Sequence, residues 1–147
     1  MLTPLGKADD RLAERLRGRG QRVTPQRLVI HRVLHVRQRH LTADEVREAV
    51  ADVLPGLSLP TVYATLDLLV ELNFARRVDA GTGAALYDAR TEPHHHMACR
   101  ACGRVEDLDA WVDPEPLLVA ARDAGFEPTA AGVVVTGLCG LCSARRH

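Results

Sequence analysis

Residues 94–102 read HHHMACRAC, three consecutive histidines followed at once by a Cys-x-x-Cys pair. Both residue types bind transition metals, yet this run offers more donors than one tetrahedral ion can use. A second Cys-x-x-Cys stands at Cys139 and Cys142, with 36 residues between Cys102 and Cys139. Two-residue spacing lets both thiolates of a pair reach one ion. Cys99, Cys102, Cys139 and Cys142 are therefore expected to close a tetrahedral structural zinc site. The gap is longer than in a zinc ribbon, so a helix and a strand must fold between the pairs. Two disulfides or redox dithiols are the alternative, but no Trp-Cys-x-x-Cys or comparable redox signature supports them.

With the cysteines consumed by zinc, His94, His95 and His96 remain for a second ion. On a strand, alternation places His94 and His96 on one face and His95 on the other. Two imidazoles on one face, with Asp88 and Asp107 near in sequence, make an open nitrogen and oxygen site. Such a site suits iron or manganese, with nickel or zinc as further options. A solvated surface cluster is the alternative reading of the histidines.

The elements that must position these groups follow from periodicity and caps. Leu12 and Leu16 among charges fit a short amphipathic helix over 9–19, ended by Gly18 and Gly20. Thr24 can cap a second helix with Pro25 at its first position. Thr42 and Glu45 have capping-box spacing for a third helix, which should run to about Leu54 before Pro55 and Gly56. Ser58, Leu59 and Pro60 open a fourth helix carrying Val62, Leu66, Leu69 and Val70. Residues 74–79 and 84–88 then read as a hairpin. Helices followed by a two-stranded ribbon are the order of a winged helix-turn-helix, whose last helix enters the major groove.

The texture changes past Ala89. Residues 90–93 read as a linker, and residues 97–99 and 103–108 as strands around a metal knuckle. Pro114 can begin a helix to about Ala124, and residues 133–136 are a strong strand signal. The expected fold is α+β: an N-terminal winged helix-turn-helix domain over 1–89 and a small α/β second domain over 90–147.

Composition agrees with a polyanion partner for the first part only. The net charge is zero, but residues 1–40 hold ten Lys and Arg against three Asp and Glu, whereas residues 91–147 hold five against eight. Arg15, Arg17, Arg19, Arg22 and Arg27 can seek phosphate, and Ser58, Thr61, Tyr63 and Thr65 lie near the start of the fourth helix. No apolar run approaches the roughly 20 residues that cross a bilayer, and residues 1–6 lack the order of a secretory signal. A cytoplasmic location with no membrane partner is expected.

Taken together, Arg22 to Arg27 (RVTPQR), His40 to Glu45 (HLTADE), Ser58 to Leu66 (SLPTVYATL) and His94 to Gly103 (HHHMACRACG) resemble the ferric uptake regulator family of metal-dependent repressors. The match runs from about Arg19 to Cys142. The resemblance implies a homodimer that binds palindromic double-stranded operator DNA through the N-terminal domains and dimerises through the C-terminal ones. It also implies a regulatory Fe2+ or Mn2+ site at His40, Asp88, His94, His96 and Asp107, coupling domain orientation to occupancy. Aspartate rather than glutamate at Asp107 resembles the peroxide-responsive branch, in which oxygen is added to ligand histidines, here His40 or His94.

Departures from the family pattern bear on the alternatives. No fifth cysteine remains for the mixed site of zinc-uptake repressors, and no histidine lies between His96 and His147 for a further dimer-domain site. Ala64 follows Tyr63 where many members carry a larger polar residue. An iron-, nickel- or zinc-responsive repressor is the nearest alternative. A zinc scaffold without DNA binding is more distant, and a zinc deaminase is disfavoured because no His-x-Glu occurs.

Overall fold

The computed structural model describes residues 6–37, 39–81 and 83–146, and it divides into two compact units. The first comprises Met1–Asp79 with Ala84–Thr91, and the second Ala80–Gly83 with Glu92–His147. No helix among the described residues is long and apolar enough to cross a membrane.

In the first unit, α1 (Lys7–Gly18), α2 (Pro25–Arg37), α3 (Ala43–Val50) and α4 (Leu59–Glu71) enclose a core of Leu12, Leu16, Ile30, Val33, Leu34, Val46, Val50, Val62, Leu66 and Leu69. Each residue on that list lies on the inward stripe of its helix. α3 opens with a complete capping box: the Glu45 amide donates to Thr42 Oγ1 (3.2 Å) and the Thr42 amide to Glu45 Oε2 (2.9 Å). The helix stops at Val50 rather than near Leu54, because the Val53 and Leu54 amides both turn back onto the Val50 carbonyl. Ser58 caps α4, accepting from the Thr61 amide. α4 ends where Asn73 takes φ 63° and the Phe74 amide bonds the Leu69 carbonyl.

The expected ribbon is a three-stranded sheet. β2 (Arg76–Val78) pairs with β3 (Leu86–Asp88), and β1 (Leu41–Thr42) adds on the far side of β3 with Leu41 opposite Tyr87. Two residues carry no periodicity, so β1 was invisible in the sequence. Helices plus this sheet make the winged helix-turn-helix.

In the second unit, β4 (His95–Cys99) is central. It pairs antiparallel with β5 (Val105–Leu108) and parallel with β6 (Val134–Gly137). α5 (Glu115–Asp123) makes the crossover and the short α6 (Gly140–Ala144) follows β6. Pro114 caps α5 instead of entering it. Gly103 and Arg104, expected in a strand, form the turn between β4 and β5. Gly103 has φ 75°, a conformation costly for residues with a Cβ. The chain is thus an α+β protein with a winged helix-turn-helix unit and a small α/β second unit.

Candidate metal centres and nucleic-acid face

The two cysteine pairs come together because β4 and β6 run parallel. Cys99 ends β4 opposite Gly137 of β6, and Cys139 and Cys142 follow directly in α6 and its cap. Ligand atoms of Cys99, Cys102, Cys139 and Cys142 all lie within 4.8 Å of one another. Sulfur at about 2.3 Å from a tetrahedral ion sets sulfur–sulfur edges of about 3.8 Å. Cys102 Sγ and Cys139 Sγ are 3.8 Å apart, and all four thiols are free of disulfides. The donor set and spacing therefore fit zinc.

The thiols are electrostatically unequal. The backbone N–H of Cys139, with help from that of Cys102, holds the Cys99 thiol down at about 6. Hydrogen bonding to the Cys139 and Cys102 sulfurs pushes Cys142 up to about 12. Loading an ion on all four must therefore release protons, which makes affinity rise with pH.

A second group forms across β4 and β5. His96 lies opposite Asp107 in the register, and His94 and His96 share a face with ring centroids 4.4 Å apart. Asp107 Oδ1 is 3.0 Å from His94 Nε2 and 3.8 Å from His96 Nε2. Ligands at about 2.1 Å from one ion lie about 3.0 to 3.4 Å apart at right or tetrahedral angles; the His94 distance matches that spacing, and the His96 ring needs to approach by a few tenths of an ångström for all three groups to share one divalent ion. His94 Nδ1 sits 2.7 Å from the Glu92 carbonyl. That bond leaves Nε2 as the coordinating nitrogen, as ligand imidazoles require.

In the first unit, His40 Nε2 and Asp88 Oδ2 face each other at 3.4 Å, and the Arg90 amide donates to the other Asp88 oxygen at 3.0 Å. His95, which sequence reasoning left without a role, turns to the opposite side of β4. Its Nδ1 accepts from the Val133 amide at 3.1 Å, tying β4 to the start of β6. Nothing in the sequence signals such a bond, because the donor amide lies 38 residues away.

Among the groups expected to meet DNA, Arg15, Arg17, Arg19 and Arg22 are exposed, and Arg27 donates to the Arg22 carbonyl at 2.6 Å. Ser58 is exposed at the α4 cap, Thr61 bonds its hydroxyl, and Tyr63 is half-buried against the core. Thr65 is a correction: it is 4% exposed and its hydroxyl accepts from Gln26 Nε2 at 3.1 Å. It pins α2 to α4 and cannot reach a base edge. On α4 the exposed positions are instead Pro60, Ala64, Asp67 and Glu71. Tyr87 of β3 donates to Asp67 at 3.1 Å, joining the wing to α4.

These features have counterparts. The sequence pattern of the Ferric uptake regulator family matches residues 18–129. The chain is 32% identical over 141 residues to the ferric uptake regulation protein of Bacillus subtilis, covering 92% of this chain and 95% of that one. It is 30% identical over 127 residues to the peroxide-responsive repressor PerR of Staphylococcus epidermidis, covering 86% and 85%. In fold it is similar to the Helicobacter pylori ferric uptake regulator, with a TM-score of 0.76 at 21% identity over 97% of this chain and 95% of that one. A match over most of the chain, with two groups of metal donors and a winged helix, places this protein among regulators rather than enzymes: it belongs to the ferric uptake regulator family of metal-dependent transcriptional regulators.

Proposed function

We propose that the protein is a homodimeric repressor of palindromic operator DNA that holds a structural zinc ion and senses peroxide through a regulatory Fe2+ or Mn2+ ion. The observation that carries the reading is the separation of two donor sets: four thiols in one, imidazoles converging on an aspartate in the other. Cys99, Cys102, Cys139 and Cys142 hold zinc and fix the second unit. The regulatory ion takes His94, His96 and Asp107 together with His40 and Asp88 of the first unit. Arg15, Arg19 and Arg22 meet the DNA backbone, and Ser58, Thr61 and Tyr63 line the groove-facing end of α4.

Dimerisation through the second unit is supported by its surface. α5 has no buried residue, and Trp111, Phe126 and Leu141 are 86%, 71% and 62% exposed. Such an apolar surface is what a second copy covers.

Ferrous iron held by these residues would supply the redox chemistry that activates hydrogen peroxide: the imidazole of His40 or His94 would be oxidised and the peroxide reduced, one oxygen being added at a ring carbon and the other leaving as water, with no net change in the iron. The altered ring is a poorer donor, so the ion and then the DNA are released. Asp107 faces the His94 and His96 imidazoles, which keeps His94 beside the point where the ion would sit. A repressor that responds only to the dose of iron, or of nickel or zinc, is the second reading, favoured by the relative from Bacillus subtilis.

Peptide mass spectrometry separates the two. Protein loaded with iron, and separately with manganese, is exposed briefly to dilute peroxide. Added oxygen on the His40 or His94 peptide with iron alone is the expected result; unmodified peptides with the iron site filled leave the dose-responsive reading.

A further inference from the structure

The first unit holds a cavity of about 690 Å3, in the range of small-molecule sites, that neither metal centre uses. Its wall includes Arg11 and Arg15 of α1, Arg19 at its C-terminal cap, His31 and His35 of α2, and Phe74 after α4.

The histidine pair sets the chemistry of the floor. His31 is fully buried, and its Nε2 lies 3.0 Å from His35 Nε2. Its Nδ1 is buried with no hydrogen-bond partner. If His35 donated to His31, the His31 proton would sit on that Nδ1, leaving a buried N–H with no acceptor, the rarer and costlier kind of orphan. The favoured tautomer therefore has His31 Nε2–H donating to His35 Nε2, which leaves the His35 proton on Nδ1. Burial, reinforced by His35, keeps His31 neutral. His35 thus offers its remaining N–H beside three arginines that can only donate.

We infer that this cavity binds a small organic anion, a carboxylate or phosphate ester whose apolar body rests on Phe74. A wall of donors selects an acceptor with negative charge, and Glu14, the carboxylate on the same wall, is outnumbered by the arginines. An inorganic ion alone leaves most of the volume and the apolar side unfilled. Arg15 and Arg19 are also the residues proposed to meet DNA phosphates, so the anion and the operator compete. That last step rests on the DNA reading above; the binding itself does not.

The test titrates phenyl phosphate and phenylacetate into the zinc-loaded full chain by calorimetry, with inorganic phosphate and benzyl alcohol as head-only and ring-only probes. At least one charged aromatic probe should bind, and which one does identifies the head group. Binding should weaken about tenfold in Arg11→Gln and in His35→Leu, while both variants still bind an operator duplex selected from random sequence. With the anion present, operator affinity of the unaltered protein should fall severalfold. Failure of both charged probes, equal binding by either control, or binding that survives both substitutions overturns the inference. Anion binding with no effect on DNA affinity instead removes Arg15 and Arg19 from the DNA contacts and leaves the cavity site standing.

Discussion

His31 shows what one buried residue does to the whole stability curve. Burial, and then the neighbouring His35, lower its pKa from 6.5 to about 4. The unfolded chain therefore binds a proton at higher pH than the folded one does. Stability from neutral His31 is fully present above 6.5 and is lost as pH falls through that value toward about 4. The whole effect is on the order of 3 kcal/mol at most. Urea unfolding between about pH 7 and about pH 5 should show the midpoint falling, and His31→Leu should flatten that slope; an unchanged slope in the variant assigns it to other groups. A second residue-scale expectation concerns the sensing centre. His96→Ala should lose metal-dependent operator binding in a gel shift while retaining zinc; normal binding at low metal rejects the assignment of His96. The ligand types were legible in the sequence because Cys-x-x-Cys and His-x-His spacing encode reach. Thr65 was misread because polarity alone does not say which face of a helix a residue occupies, and the partner that claims its hydroxyl, Gln26, lies 39 residues away.

Among the elements, caps were the most readable features. Thr42 and Glu45 predicted the start of α3 and the bonds are in place, because a capping box involves only residues three apart. Thr42→Ala should cost about 1 kcal/mol, read as a lower urea midpoint with unchanged slope. A shift indistinguishable from zero would mean that β1 pairing, not the cap, fixes this junction. β1 itself and the end of α3 were not readable. A two-residue strand exists only because β3 offers a paired edge, and α3 ends where backbone bonds tighten rather than where proline stands.

For the whole molecule, the contrast between units matters most. The first has a conventional core, whereas buried apolar residues in the second reduce to Ala98 and Cys99 among those described. So small a core cannot hold the second unit together alone, and the proposed zinc ion and second copy would supply what it lacks. Cys99→Ser should lose bound zinc and sediment as monomer, with the circular dichroism of the first unit preserved. A zinc-free dimer of ordinary stability would show that the cysteines are dispensable for assembly.

The parallel seam between β4 and β6 carries a further consequence. Residues 125–132, the connection leading into β6, are largely exposed and irregular. A protease cutting there would not release the C-terminal fragment, since strand pairing and four thiolates around one ion would still clasp it. The nicked protein would run as one particle on a sizing column and as two pieces on a denaturing gel. A chelator should then separate the halves, and adding back the ion should rejoin them.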